Sequence, residues 1–167
     1  AYFLFDERLP TLLVRSAALG MDLQPYIDNG QLELRAIDPA EMSPGEFAGS
    51  IRQAVEKHGA TFVIIDSLNA YLQSMPNEQF LVLQMHEMLT YLGQKGVVSL
   101  LILGLHGVMG DVRSDVDLSY LSDTVVQLRY FEANGQVRQA ISVIKTRTAQ
   151  HERTIREFQI GSNGLQV

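Results

Sequence analysis

The chain has 167 residues, is 46% hydrophobic and 19% charged, carries a formal net charge of −6 and contains no cysteine. That length fits one domain, and the apolar fraction supports a sizeable core, which excludes wholesale disorder, while the absence of cysteine excludes a disulfide-stapled scaffold. The lack of cysteine also rules out thiolate metal sites and thiol nucleophiles, and fits a cytoplasmic protein. The acidic balance argues against a general nucleic-acid clamp. No apolar run reaches the roughly 18 residues of a membrane helix, and the N-terminus lacks the basic-then-apolar order of a signal peptide.

The chain opens on Ala1-Tyr2-Phe3-Leu4-Phe5, without Met and directly in a strand-like run ending at Asp6-Glu7. This predicts a buried strand with acids at its C-terminal end, and a fragment of a longer protein. Leu12, Leu13, Ala17 and Leu19 predict a helix that Gly20 stops. Met21 to Asn29 reads as a short helix or turn closed by Asn29-Gly30, and Leu32 to Ile37 as the next strand. Ser43-Pro44-Gly45-Glu46 has the form of a capping box with proline at the first helical position. It starts a helix that runs to His58 and ends at Gly59.

Thr61 to Asp66 is a β-branched apolar strand ending in an acid. Asn77 is expected to cap the longest helix, which ends at Gly93 or Gly96, with Leu81, Met85, Met88 and Leu92 facing the core. Val97 to Leu103 reads as another buried strand, followed by a polar, Gly-rich loop from Gly104 to about Asp117. Thr124 to Tyr130 and Val137 to Thr146 predict a hairpin around Asn134-Gly135. Thr154 to Ile160 predicts a further strand with a turn at Asn163-Gly164. The alternation of strand and helix over the first two-thirds implies a parallel sheet, and the last third an antiparallel extension.

In open α/β sheets, ligands sit at the C-terminal ends of strands, where Asp6, Glu7 and Asp66 fall. Phe62-Val63-Ile64-Ile65-Asp66-Ser67 has the form of a Walker B strand, whose acid holds Mg²⁺ beside substrate phosphates. Alone, it equally fits a core strand whose Asp caps the next turn. Asp6-Glu7 suits a water-activating carboxylate, or simply an acidic helix start. Lys145-Thr146-Arg147, with His151 and Arg153 after it, places two cations at i, i+2 on one side of a strand. That arrangement fits a phosphate clamp or a charged edge strand.

Order and spacing together resemble the KaiC family of RecA-like ATPases. The matching segments are Phe3-Leu4-Phe5-Asp6-Glu7-Arg8, Gly20-Met21-Asp22, Phe62 to Ala70, Leu121-Ser122-Asp123-Thr124, Ala140 to Arg147, and His151 to Phe158. The resemblance implies one partial RecA-like domain over residues 1–167, acting on ATP with Mg²⁺ in a hexameric homo-oligomer whose nucleotides lie between subunits. It assigns Asp6 and Glu7 to activation of water, or of a hydroxyl for phosphoryl transfer. Asp6 stands where the family usually has a second glutamate. The resemblance assigns Asp66 to Mg²⁺, and Lys145, Thr146, Arg147, His151 and Arg153 to the neighbouring subunit's nucleotide. Thr148 replaces the glycine common in the family after this arginine.

The family's autophosphorylated Ser-Thr pair reads Ser119-Tyr120 here, which leaves Ser119 as the candidate phosphosite. His106 matches the family's γ-phosphate sensor poorly and is expected to face solvent. No Gly-x-x-x-x-Gly-Lys-Ser/Thr phosphate loop occurs in the 167 residues. In the family that loop precedes the paired acids, here before Ala1, on a strand in the middle of the sheet. Its absence would leave a gap in the sheet and unpaired strand edges that favour dimerisation or strand exchange. The fragment alone is then expected to be inactive. A non-catalytic oligomerisation or regulatory module that binds protein partners is the alternative. A DNA-recombinase relative is disfavoured by the acidic balance and by the lack of a basic, aromatic loop after Gly104.

Overall fold

The structure is a computed structural model of the chain, and it describes residues 1–73, 78–104 and 119–167. The chain divides into two compact units, Ala1–Ala17 with Asp22–Gly104, and Ala18–Met21 with the described part of Leu105–Val167.

The first unit is α/β. Its strands are β1 (Tyr2–Leu4), β2 (Leu34–Ala36), β3 (Phe62–Asp66) and β4 (Val98–Ile102); its helices are α1 (Leu9–Ala18), α2 (Gln24–Asp28), α3 (Pro44–Glu56), α4 (Leu68–Gln73) and α5 (Glu78–Gln94). The strands form one parallel sheet in the order β2-β1-β3-β4. In this register Phe3 pairs with Ile65. Phe3, Val63 and Ile65 thus share one face, and all three are fully buried. Phe47 of α3 packs edge-on to Phe3 at 5.4 Å and to Phe5 at 5.0 Å, and lies tilted 5.3 Å from Tyr71 of α4. Such aromatic pairs add to the stabilisation from burial alone.

The capping box at the start of α3 forms as its sequence implies: the Glu46 amide donates to Ser43 Oγ, and the Ser43 amide donates to the Glu46 carboxylate at 2.8 Å. Leu81, Met85, Met88 and Leu92 of α5 are all buried, as their spacing predicts. α4 is additional to the elements read from sequence, because six residues give too few periodic positions to register as a helix.

β4 departs from expectation. A buried strand is predicted, yet Val98, Leu100 and Ile102 are 58%, 45% and 37% exposed. They share a face with Phe62, itself exposed, through the pairs Phe62–Val98 and Ile64–Leu100. β4 pairs with β3 alone among the described strands and lies at the sheet's edge, but Phe62 on the interior strand β3 shares the exposure, so it is the face, and not the edge alone, that is open. The expected cap Asn77, and His106 with its loop, lie outside the described residues.

The second unit is an antiparallel sheet in the order β5-β6-β7-β8: β5 (Thr124–Ala133), β6 (Gln136–Thr146), β7 (Arg156–Gly161) and β8 (Gly164–Gln166). Asn134 and Gly135 both have positive φ, 55° and 72°, the backbone demanded by a tight hairpin turn whose twist matches its strands. Gly20 also belongs to this unit. Its φ is +79°, and a Cβ there would lie 2.6 Å from the Ser162 carbonyl oxygen, so only glycine fits. Among the described residues no helix is long and apolar enough to cross a membrane.

Candidate functional site

In the first unit, parallel pairing brings the C-terminal ends of β1 and β3 together. Leu4 is in register with Asp66, and the Phe5 amide donates to the Asp66 carbonyl at 2.7 Å. The acids that leave these strands are therefore neighbours, although sixty residues separate them in sequence. Ser67 Oγ donates to Asp6 Oδ2 at 2.5 Å and ties the two strand ends together through side chains. The Tyr2 hydroxyl donates to Asp66 Oδ2 at 2.6 Å. Burial, reinforced by the bond to Asp66, raises the Tyr2 phenol well above its ordinary range, so it stays a donor. The Asp66–Ser67 peptide is cis.

Asp6 and Glu7 diverge after β1. Asp6 is exposed, whereas Glu7 is partly covered, with its side chain 24% exposed. Arg15 of α1 grips Glu7 with both prongs, Nε to Oε1 at 3.1 Å and Nη2 to Oε2 at 2.6 Å. The bond to Glu7 raises the Arg15 guanidinium above its ordinary value. Further along, Asn69 Nδ2 donates to the Gly104 carbonyl at 2.9 Å, and its Oδ1 accepts from the Gly104 amide at 2.6 Å. This pair pins the chain leaving β4 beside the chain leaving β3.

In the second unit the β5–β6 register shifts between Val125 and Val126. Val125 pairs with Lys145 and Val126 with Val143, which leaves Ile144 as the extra residue of a β-bulge. The bulge falls directly before Lys145-Thr146-Arg147 and sets where these side chains point. Lys145 Nζ donates to the Ser122 carbonyl at 2.9 Å. Arg147 Nη2 donates to the Tyr120 carbonyl, and its Nη1 lies 3.5 Å from Asp123 Oδ1. The i, i+2 cations thus reach the same segment. Ser119 opens the short 3₁₀ turn of that segment, Ser119–Leu121. Thr146, His151 and Arg153 line one cleft of about 400 Å³ with Ala149 and Gln150.

Tyr2, Ser67, Arg15 and Asn69 hold these groups, and the sequence reading gave none of them a role. For Arg15 a signal exists, since it stands two helical turns beyond Glu7. Tyr2, Ser67 and Asn69 act across strand and loop pairings that no local pattern reveals.

A parallel sheet flanked by helices, acids at two neighbouring strand ends and an added antiparallel sheet define an α/β protein of the RecA-like ATPase class. A family model described as "ATPase: KaiC" matches residues 1–167, and the chain belongs to the KaiC ATPase family. The circadian clock oscillator protein KaiC of Synechococcus elongatus is 25% identical over 171 residues, covering 99% of this chain and 32% of that protein. The circadian clock protein KaiC3 of Synechocystis is 23% identical over 166 residues, covering 99% and 33%. The oscillator protein KaiC of Prochlorococcus marinus is 25% identical over 166 residues, with the same coverage. The chain therefore spans about a third of the length of these curated relatives.

Proposed function

We propose that residues 1–167 form part of one KaiC-type ATP-binding and ATP-hydrolysing domain that works in a homo-oligomeric ring. The observation that carries this reading is the junction of the β1 and β3 ends, where the Ser67 hydroxyl bridges to Asp6 and the Tyr2 hydroxyl to Asp66. Glu7 orients and deprotonates the attacking water, and Asp6 flanks it. Asp66 is the Mg²⁺ carboxylate of a Walker B strand. Among the described residues no group of three or more acids or histidines is arranged to hold a metal. Magnesium at a phosphate site needs only one or two protein carboxylates besides water and phosphate oxygens, so Asp66 fits that mode. The ion, when bound, neutralises charge developing on the phosphate oxygens.

Lys145, Thr146, Arg147, His151 and Arg153 address the nucleotide of the neighbouring subunit in the ring. The shared cleft of Thr146, His151 and Arg153 supports this assignment. Ser119 is the hydroxyl open to autophosphorylation. A role in timing rests on the names of the relatives alone. Turnover of ATP by the natural full-length protein tests the core of the reading. Glu7→Gln keeps the shape and removes the base, and turnover is expected to fall about 10²- to 10⁴-fold. Unchanged turnover refutes the assignment of Glu7.

A second reading has its own support in the exposed apolar face of β3 and β4. It holds that this chain by itself is an interaction module that docks protein partners or a second copy. A fluorescent ATP analogue titrated onto residues 1–167 tests this second reading: micromolar binding overturns it as an account of this chain, and no binding is the outcome it expects.

A further inference from the structure

Glu7 would be a poor base if its carboxylate were free to swing. It sits on the short connection between β1 and α1, one residue before Arg8 and two before the helix begins. The nearest rigid element is α1, anchored by Leu12 and Ser16, which are 3% and 7% exposed. Arg15 lies between these two anchors and projects from the helix back to Glu7. Its fork meets both carboxylate oxygens, at 3.1 and 2.6 Å. A bidentate contact fixes the plane of the carboxylate as well as its position, which a single hydrogen bond or a lysine does not. A carboxylate has about four acceptor sites and the fork takes two, so a water can still be held by the sites left on the same oxygens.

The pair has little structural reason to exist. Arg15 is 54% exposed, and exposed ion pairs add little stability because solvent screens them and both side chains lose freedom. It also spans eight residues, from a connection to the second turn of a helix, and is not one of the i, i+4 pairs that support helices. By contrast Asp6 is held by one neutral hydroxyl and is exposed. The two adjacent acids therefore differ in how far their geometry is fixed.

We propose that Arg15 is a positioning residue for hydrolysis: it holds the Glu7 carboxylate in the orientation from which that acid activates water. The inference rests on the assignment of Glu7 proposed above. The test is steady-state ATP turnover by the natural full-length protein in five forms: wild type, Arg15→Ala, Arg15→Lys, Glu7→Gln and the double variant of Arg15→Ala with Glu7→Gln. Arg15→Ala is expected to fold as the wild type does, judged by circular dichroism, and to lower kcat about 10- to 100-fold with the KM for ATP unchanged. In the Glu7→Gln background the same substitution is expected to have no further effect, because the group it positions is gone. Arg15→Lys, which keeps charge but not the fork, is expected to recover only part of the loss.

A wild-type kcat in Arg15→Ala, beside a Glu7→Gln that has lost turnover, overturns the inference and leaves the assignment of Glu7 standing. So does an equal loss in both backgrounds, which places the action of Arg15 elsewhere, and so does a raised kcat, which makes Arg15 a restraint. Full recovery in Arg15→Lys overturns it too, since charge alone would then suffice. Unchanged turnover in Glu7→Gln defeats the parent reading and the inference with it.

Discussion

The two units bury very different amounts of apolar surface. The first encloses Phe3, Leu4, Phe47, Ile51, Val63, Ile65, Leu68, Leu81, Met85 and Leu92, each under 2% exposed. Among the described residues of the second, only Ala140, Phe158 and Ser142 are buried, while Val126, Leu128, Tyr130 and Val137 of its long hairpin are 48–60% exposed. A packed core supplies stability to the first unit, and the ladder between β5 and β6 with its turn geometry organises the second. The chemistry divides along the same line. Acids stand at the strand ends of the packed unit, where position is tightly fixed; cations stand on the hairpin unit, beyond a bulge.

This contrast can be broken from either side. The largest effect is expected at Phe47, whose ring touches three others. Phe47→Ala removes the centre of that cluster and should cost the first unit about 3–5 kcal/mol. Urea unfolding followed by circular dichroism reads it, because the five α-helices among the described residues belong mainly to that unit. A loss below 1 kcal/mol would show that the aromatic cluster does not carry its core. The second unit is expected to yield most readily at a turn. Gly20→Ala forces a positive φ and a contact with the Ser162 carbonyl, at a cost of roughly 1–3 kcal/mol. Amide chemical shifts around Ser162 to Leu165 should move while those of α3 and α5 stay in place.

A smaller effect follows from pH. Burial pushes the Tyr71 phenol up to about 12, from an ordinary value near 10. Between those two values the unfolded chain has lost this proton while the folded chain keeps it, so stability is full below pH 10 and falls as pH rises toward 12. Tyr71→Phe should flatten that part of the alkaline limb in thermal melts, and an unaltered limb would refute the burial of this hydroxyl. The smallest effect is at the start of α3. Ser43→Ala removes the cap and should lower stability by about 1 kcal/mol, read as a modest fall in the urea midpoint.

Much of the fold is legible in the residues. The alternation of apolar runs and capped helices identifies the parallel sheet, Ser43 to Glu46 marks where α3 starts, and Asn134-Gly135 marks the hairpin turn. All of these are local signals, encoded within one helical turn or one strand period. α4 escapes because it is too short to show a period. The exposure of β4 escapes because an apolar strand reads the same whether its face is covered or open; packing in three dimensions decides which it is.

The site divides in the same way. The acids Asp6, Glu7 and Asp66 and the cations Lys145 and Arg147 stand out in the sequence, since each ends or follows an apolar strand. Their partners do not. That Tyr2 donates to Asp66, that Ser67 bridges to Asp6, and that Arg15 rather than solvent meets Glu7 follow from strand pairing and from the docking of α1. The sequence by itself determined which residues carry charge at the ends of which strands. Tertiary structure decided which of those charges are held and by what, because hydrogen bonds of about 3 Å are made between atoms that the chain separates by up to sixty-four residues.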